Sequence, residues 1–379
     1  MANEKKRKIR AEFRKNRVQR ARQGDLTREY RDDGMEDDES ARTERVSGKG
    51  DLTRKRTVIA ADSGGEQTDG LAVQLDVNEE TCHTGRVLSV HGLTSNVLGE
   101  DGQLYRCATR RVLKTLMTDQ RHVVAAGDRV RFLLSGPQEG VIERIERRHG
   151  VLSRAIRGRC HVIVANVDQV LIVGSAAEPI LKPHLIDRML VTAEKDRIRP
   201  IICINKIDLV DPADLQPLVG VYGQMGYEVL LLSATTGVGI ERLKCRVLGR
   251  QSVFAGQSGV GKSSLLNAID PGLDLRIATV SEENQKGRHT TTVASLIPLS
   301  AGGYVLDTPG IRQFQLWDVV PQEVAGYFPD LRSYASLCRF PDCTHTHEAD
   351  CSVKDAVADG RLDARRYESY CQLFAGDLD

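Results

Sequence analysis

Apolar positions recur along the chain with three different rhythms. From Thr84 to Gly150, short runs such as GRVLSVHG, QLYRCATR, DRVRFLLSG and GVIERIERR alternate apolar with polar residues and are separated by turns. Short strands at that spacing predict a small β-barrel. From Cys160 to Trp317 the runs QVLIVGSA, RPIICIN, YEVLLLSA, SVFAG, ASLIPL and GYVLDTPG are almost wholly apolar. Segments with helical character, such as His184 to Lys195 and Lys262 to Ile269, fall between most of them. Buried strands alternating with helices predict an α/β domain whose mainly parallel sheet is covered on both faces. The last stretch reads as helical around a Cys/His-rich insert.

Composition changes the picture mainly at the N-terminus. The chain has 379 residues, 40% hydrophobic and 28% charged, with a net charge of +1. That length allows two or three domains, and the net charge alone points to no partner. The basic residues crowd the opening MANEKKRKIRAEFRKNRVQRAR, and an acidic patch from Asp32 to Glu39 follows. Few large apolar side chains occur there, so burial cannot offset chain entropy and an unfolded extension is expected. It reads either as a solvated tail or as a nucleic-acid-binding arm that releases counterions from phosphates. The expected organisation is an extension over 1–81, an OB-type barrel over 82–152, an α/β nucleotide-binding domain over 153–318 and a helical metal-binding domain over 319–379.

No apolar run reaches the roughly 18–20 residues of a membrane span, and the basic start is followed by no apolar signal core. A cytoplasmic protein without membrane contact is expected. The barrel strands carry Arg106, Arg110, Arg111, Arg129 and Arg131. Such a face is either an RNA-binding surface or a solvated one.

The chemistry-bearing motifs lie in the α/β stretch. Gly256, Gln257, Ser258, Gly259, Val260, Gly261, Lys262 and Ser263, followed by Ser264, form a P-loop after an apolar strand and before a helix. Its glycines let backbone N–H groups converge on phosphate oxygens. Lys262 suits the β- and γ-phosphates, and Ser263 suits Mg²⁺. The motif defines a nucleoside triphosphate but not its base. Asn205, Lys206, Ile207 and Asp208 supply the base reading. They close an apolar strand at the sheet edge where α/β proteins bind ligands. A carboxylate there accepts from both the N1–H and the 2-amino group of guanine, and adenine offers no such pair. Ser233 and Ala234 read as a second base loop. Asp307 and Gly310, in DTPG, read as a Mg²⁺ and γ-phosphate switch. In GRHTTT, His289 precedes three threonines, of which Thr291 is the chosen Mg²⁺ ligand; the neighbouring threonines leave that register open. Gly259 stands where some K⁺-dependent GTPases carry Asn.

These motifs run in the order base loop, second base loop, P-loop, threonine switch, DTPG. Conventional GTPases begin with the P-loop. A permuted order is sound, because strands keep their places in a sheet when the termini are moved. It also leads the second switch straight into the C-terminal part.

Nine cysteines are present. Cys338, Cys343 and Cys351 sit around His345 with the spacing C-x4-C-x-H-x5-C. Three thiolates and one imidazole suit a closed tetrahedral Zn²⁺ site with a structural role; His347 is a second candidate ligand. The six scattered cysteines read as reduced thiols.

Together the permuted NKID, SA, GQSGVGKSS, GRHTTT and DTPG series, the preceding barrel and CRFPDCTHTHEADC make residues 82–375 resemble the RsgA (YjeQ/EngC) family. The resemblance implies a circularly permuted P-loop GTPase domain with an N-terminal OB-type β-barrel and a C-terminal helical zinc-binding domain. It implies conversion of GTP to GDP, stimulated by the small ribosomal subunit, with contacts to its rRNA; a monomer is expected. It also implies that His289 places the attacking water, since Ile311 stands where Ras-like enzymes carry Gln. A module that holds GTP without turnover, a metal-dependent RNA enzyme, and a GTPase for another target are the competing readings. The closed Cys3His set argues against the RNA enzyme.

Overall fold

The computed structural model describes residues 8–12, 55–60, 73–75, 81–110, 113, 123–156, 159–275, 294–307 and 320–376. They fall into two compact units, Met1–Asn78 and Glu79–Asp379. In the first, β1 (Lys8–Glu12), β2 (Lys55–Ala60) and β3 (Val73–Leu75) pair antiparallel in that order. Composition pointed to an unfolded extension here. The local run Thr57, Val58, Ile59 is β-branched, however, and favours extended pairing.

The second unit begins with a closed barrel. Its strands are β4 (His83–His91), β5 (Thr94–Gly99), β6 (Leu104–Thr109), β7 (Arg129–Gly136) and β8 (Glu139–Ile145). They run in the order β4-β5-β6-β8-β7, and β7 returns to β4. Only the β6–β8 pair is parallel. Alternation works as the pattern requires: in β6, Tyr105 and Cys107 point inward, and Leu104 and Arg106 outward. Val87, Val97, Phe132 and Ile142 complete the interior. A hairpin of β9 (Leu152–Ile156) and β10 (Arg159–Val164) follows.

Six strands form the α/β sheet: β11 (Gln169–Ser175), β12 (Arg199–Asn205), β13 (Glu228–Leu231), β14 (Gln251–Ala255), β15 (Ser295–Pro298) and β16 (Tyr304–Asp307). Their order is β13-β12-β11-β14-β16-β15, parallel except for β15. Strand periodicity of two sends alternate residues to opposite faces. Val170, Ile172, Ile202, Ile204 and Val253 pack under α1 (Pro183–Lys195) and α2 (Gln216–Gln224). Leu171, Val173, Ile201, Cys203 and Phe254 pack under α3 (Ile240–Val247) and α4 (Lys262–Ile269). Both faces are therefore dry, which explains the unbroken apolar runs.

The barrel continues the sheet: β15 pairs with β4 at Ser295 and Ser89. Beside this junction the Arg86 guanidinium donates to the Gln251 amide oxygen at 2.8 Å and lies 4.6 Å from the Tyr304 ring centre. Gln251 is fully buried and donates to the Ala165 carbonyl. Gly127 closes the corner at φ +87°, where a Cβ would lie 2.1 Å from the Ala165 oxygen.

At the other side, α5 (Pro329–Ala335), α6 (Ser352–Ala358) and α7 (Ala364–Ala375) pack with the 3-10 segment Pro321–Tyr327. Val191 of α1 enters that core. Arg366 of α7, 3% exposed, donates to Asp187 of α1 and, through two bonds of 3.0 Å, to Asp330 of α5. Asp187 also accepts from Tyr222 Oη at 2.8 Å. Burial opposes the Arg366 charge, and the two carboxylates outweigh it, holding the guanidinium protonated. Cys82, Cys107, Cys203, Cys245 and Cys371 are free thiols. Among the described residues no helix is long and apolar enough to cross a membrane.

Candidate nucleotide site and metal knuckle

The parallel strands bring three motif loops to one edge. β14 ends at Ala255 between β11 and β16, and the P-loop runs from there into α4. Two of its glycines are dictated by contact. A Cβ on Gly256 would lie 2.2 Å from the Val173 carbonyl oxygen of β11. A Cβ on Gly261 (φ +92°) would lie 2.4 Å from Asn205 Nδ2. The loop is thus pressed against the strand beside it and against the base loop at the end of β12. Lys262 Nζ donates to the carbonyls of Gly256 and Gln257 at 2.9 and 2.8 Å.

Asn205 fastens the loops together. It is 1% exposed, donates from Nδ2 to the Val260 carbonyl at 2.9 Å and accepts from the Ala234 N–H at 3.3 Å. Lys206 takes a left-handed conformation (φ 63°), which turns the chain so that Asp208 projects from the edge. Its Nζ donates to the Glu178 carbonyl, which also accepts from Ser175 Oγ. Ile207 is buried beneath the turn. The Asp208 carboxylate is exposed and accepts from Ser233 Oγ at 2.5 Å. That hydrogen bond, with a further one from Thr235, holds Asp208 below the usual carboxylate range. An ionised acceptor therefore stands ready at the sheet edge. Ser233 is fully buried and contacts Thr235 Oγ1 at 2.9 Å. Sequence reading missed Thr235, Ser175 and the Glu178 carbonyl; the adjacent SATTG was the only signal for the first.

Asp307 ends β16, one residue beyond the Val253–Leu306 pair, so its backbone lies beside the P-loop strand. His289, Thr291 and Gly310 lie outside the described residues.

Far along the chain, Cys338, Cys343, His345 and Cys351 converge as expected, their ligand atoms all within 4.8 Å of one another. His345 Nδ1 lies 3.4 Å from Cys338 Sγ and 3.5 Å from Cys351 Sγ, and those two sulfurs are 3.8 Å apart. Tetrahedral bonds of about 2.3 Å to sulfur and 2.0–2.1 Å to nitrogen require edges of about 3.8 and 3.6 Å. The donor set therefore fits a four-coordinate metal ion. Burial pushes the Cys343 thiol up to about 12 and lowers His345. A cation among them would favour the thiolates. His347, the second candidate, is exposed and outside the cluster.

The knuckle has an organiser that sequence reading missed. The Glu348 carboxylate accepts from the N–H groups of Thr344, Thr346 and His347 and from Thr344 Oγ1. Although burial opposes its charge, these donors hold it down at about 2. The hydroxyls of Tyr370 and Tyr367 donate to the carbonyls of Thr344 and His345, both at 2.7 Å. Together these contacts fix His345 at φ 59°.

A P-loop fastened to an NKxD turn on a parallel sheet, with the P-loop strand late in the chain, defines a circularly permuted GTPase. A family model described as RsgA GTPase matches residues 145–317. The small ribosomal subunit biogenesis GTPase RsgA of Thermotoga petrophila is 41% identical over 294 residues, covering 76% of this chain and 95% of that protein. The protein of the same name from Ectopseudomonas mendocina is 41% identical over 320 residues, covering 83% of this chain and 87% of its own. The crystal structure of YjeQ from Thermotoga maritima superposes with a TM-score of 0.65 at 37% identity, covering 78% of this chain and 98% of that one. YloQ, described as a circularly permuted GTPase, gives 0.61 at 31%, covering 79% and 97%. The chain belongs to the RsgA family of GTPases.

Proposed function

We propose that this protein hydrolyses GTP to GDP and phosphate and uses that cycle as a late assembly factor of the small ribosomal subunit. The observation that carries the choice of nucleotide is Asp208. Its carboxylate is kept ionised by Ser233 and is tied to the P-loop through Asn205. A paired acceptor of this kind rejects adenine steeply, because ATP leaves it unmatched. The partner is supported by the names of the relatives, which cover most of the chain.

In this reading Gly256 to Gly261 wrap the phosphates with backbone N–H groups, and the start of α4 adds a favourable dipole. Lys262 moves from its carbonyl partners to the β- and γ-phosphates. Lys206 lies along the guanine plane, Asn205 braces the loop beneath it, and Ser233 with Ala234 closes the far side. Ser263, Thr291 and Asp307 would hold Mg²⁺, which would supply charge neutralisation on the phosphate oxygens. Gly310 reports the γ-phosphate, and His289, in the segment between α4 and β15, places the attacking water. Cys338, Cys343, His345 and Cys351 would hold Zn²⁺, which would supply structural stability. The barrel and the knuckle contact rRNA, and the protein acts as a soluble cytoplasmic monomer.

Ile311 favours a second reading, a GTP holder with almost no turnover. Phosphate release with and without purified small subunits, with ATP as control, separates the two. Strong stimulation restricted to GTP is expected. A rate unchanged by subunits would sink the assembly role, and equal use of ATP would sink the base assignment.

A further inference from the structure

The barrel contains a charge arrangement that neither fold nor nucleotide site explains. The β4–β7 register sets Arg86 directly opposite Arg129. Like charges facing each other across an antiparallel pair destabilise a sheet. Neither guanidinium forms an ion pair among the described residues: Arg86 has only the Gln251 amide oxygen and the Tyr304 ring, and Arg129 is exposed. Arg129 and burial both weigh against the Arg86 charge, burial more. Tyr304 and Asp168 act the other way. Asp168 itself is occupied by the Gln251 N–H and by His149.

The two arginines open onto a cleft between the barrel and the start of β16, lined also by Thr84, Glu100, Arg131 and Glu146. Glu146 does not neutralise them, because it already accepts from Arg131 at 3.1 Å and from Arg144 at 2.7 Å. Glu100 is exposed at the rim. Four guanidiniums thus gather around two carboxylates, and the two facing ones have none. Of the other arginines on the barrel, Arg110 is spent on Glu143, Arg106 is exposed on the outer face of β6 with no ion pair among the described residues, and Arg111 lies outside the described residues.

We propose that this cleft is a phosphate site, and that its ligand is a backbone phosphodiester of RNA. Tyr304 and Gln251 hold the Arg86 fork in place, and Arg129 completes a two-armed clamp. An anion between them would turn the cross-strand repulsion into attraction and satisfy the unused donors. The cleft is half open to solvent, a shape that suits a passing chain better than a small ion, which needs enclosure. The inference rests on the reading that the barrel meets RNA, and the test separates the two.

The full chain, loaded with a non-hydrolysable GTP analogue, is titrated with purified small ribosomal subunits between about 50 and 200 mM salt. Arg129→Ala is expected to weaken binding and to flatten the log–log salt slope by about one, as for one lost phosphate contact. Arg129→Glu is expected to weaken it further. Neither change should alter GTP affinity or lower the melting temperature, since among the described residues the fold uses the Arg129 backbone, which accepts from the Glu146 N–H, and not its guanidinium. Arg106→Glu serves as the second variant, on another face of the same barrel. If Arg106→Glu weakens binding and both Arg129 variants match the wild type in affinity and slope, the cleft assignment is overturned and the barrel reading survives. If all three match the wild type, both fall.

Discussion

The GTPase sheet is joined to its two neighbours by contacts of opposite character. On the barrel side the join is backbone pairing, β15 on β4, and among the described residues neither Arg86 nor Arg129 beside it forms an ion pair. On the C-terminal side no strand crosses among the described residues. The join is a buried ion cluster, Arg366 between Asp187 and Asp330, capped by Tyr222 and surrounded by apolar core. A cluster whose charges are already paired holds two bodies in one arrangement, whereas arginines without an ion pair keep binding capacity for something else.

The C-terminal side should break hardest, starting from the zinc ion its Cys3His knuckle is proposed to hold. Structural zinc contributes about 10–16 kcal/mol of binding free energy in small peptides. Stripping the knuckle with a strong chelator should therefore unfold α5 to α7 while GTP binding persists. Hydrogen exchange resolved along the chain checks this, and equal loss of protection in the barrel would contradict the separation. Next comes Arg366→Ala, which leaves Asp187 buried without its partner and should cost about 3–5 kcal/mol. Urea denaturation measures it, and a cost under about 1 kcal/mol would show that the cluster is not a fastening. On the barrel side, Gly127→Ala forces a side chain into a left-handed backbone against the Ala165 oxygen and should cost about 1–3 kcal/mol. The site between the two joins gives the smallest effect. Asp208 titrates below its ordinary value because Ser233 donates to it. Guanine affinity in the wild type should hold flat as pH falls to about 5, the carboxylate staying ionised. In Ser233→Ala the folded-state value rises, so the acid loss of affinity should begin at higher pH. A fluorescent GDP titration across pH reads the shift, and superimposable curves would remove Ser233 from that role.

The same contrast explains what could be read from residues alone. The P-loop, NKID and the Cys3His set were legible because each packs its chemistry into one short stretch with fixed spacing. The parallel strands were legible because burial on both faces leaves unbroken apolar runs. Strand β5 was not: TSNVLG carries Ser, Asn and Gly, and its extended form comes from pairing with β4 and β6. The Arg366–Asp187 pair joins residues 179 positions apart, and no local pattern announces it. Glu348 escaped for a subtler reason. Its role is to gather N–H groups within a turn, and nothing in HEAD distinguishes that from a solvated acid. The register that sets Arg86 against Arg129 also depends on barrel closure, which periodicity does not encode.

The β15–β4 pairing has a consequence for solubility. A parallel sheet of apolar strands exposes two unpaired edges, and each invites another chain to add on. The barrel covers one of them. The other edge is β13, and it is only four residues long. Its first residue, Glu228, is ringed by Arg199, Arg242 and Arg246. A short strand guarded by desolvation-sensitive charges makes a poor template for a second copy. The molecule thus places a domain on one edge and a charge cluster on the other, and can accumulate without stacking sheet to sheet.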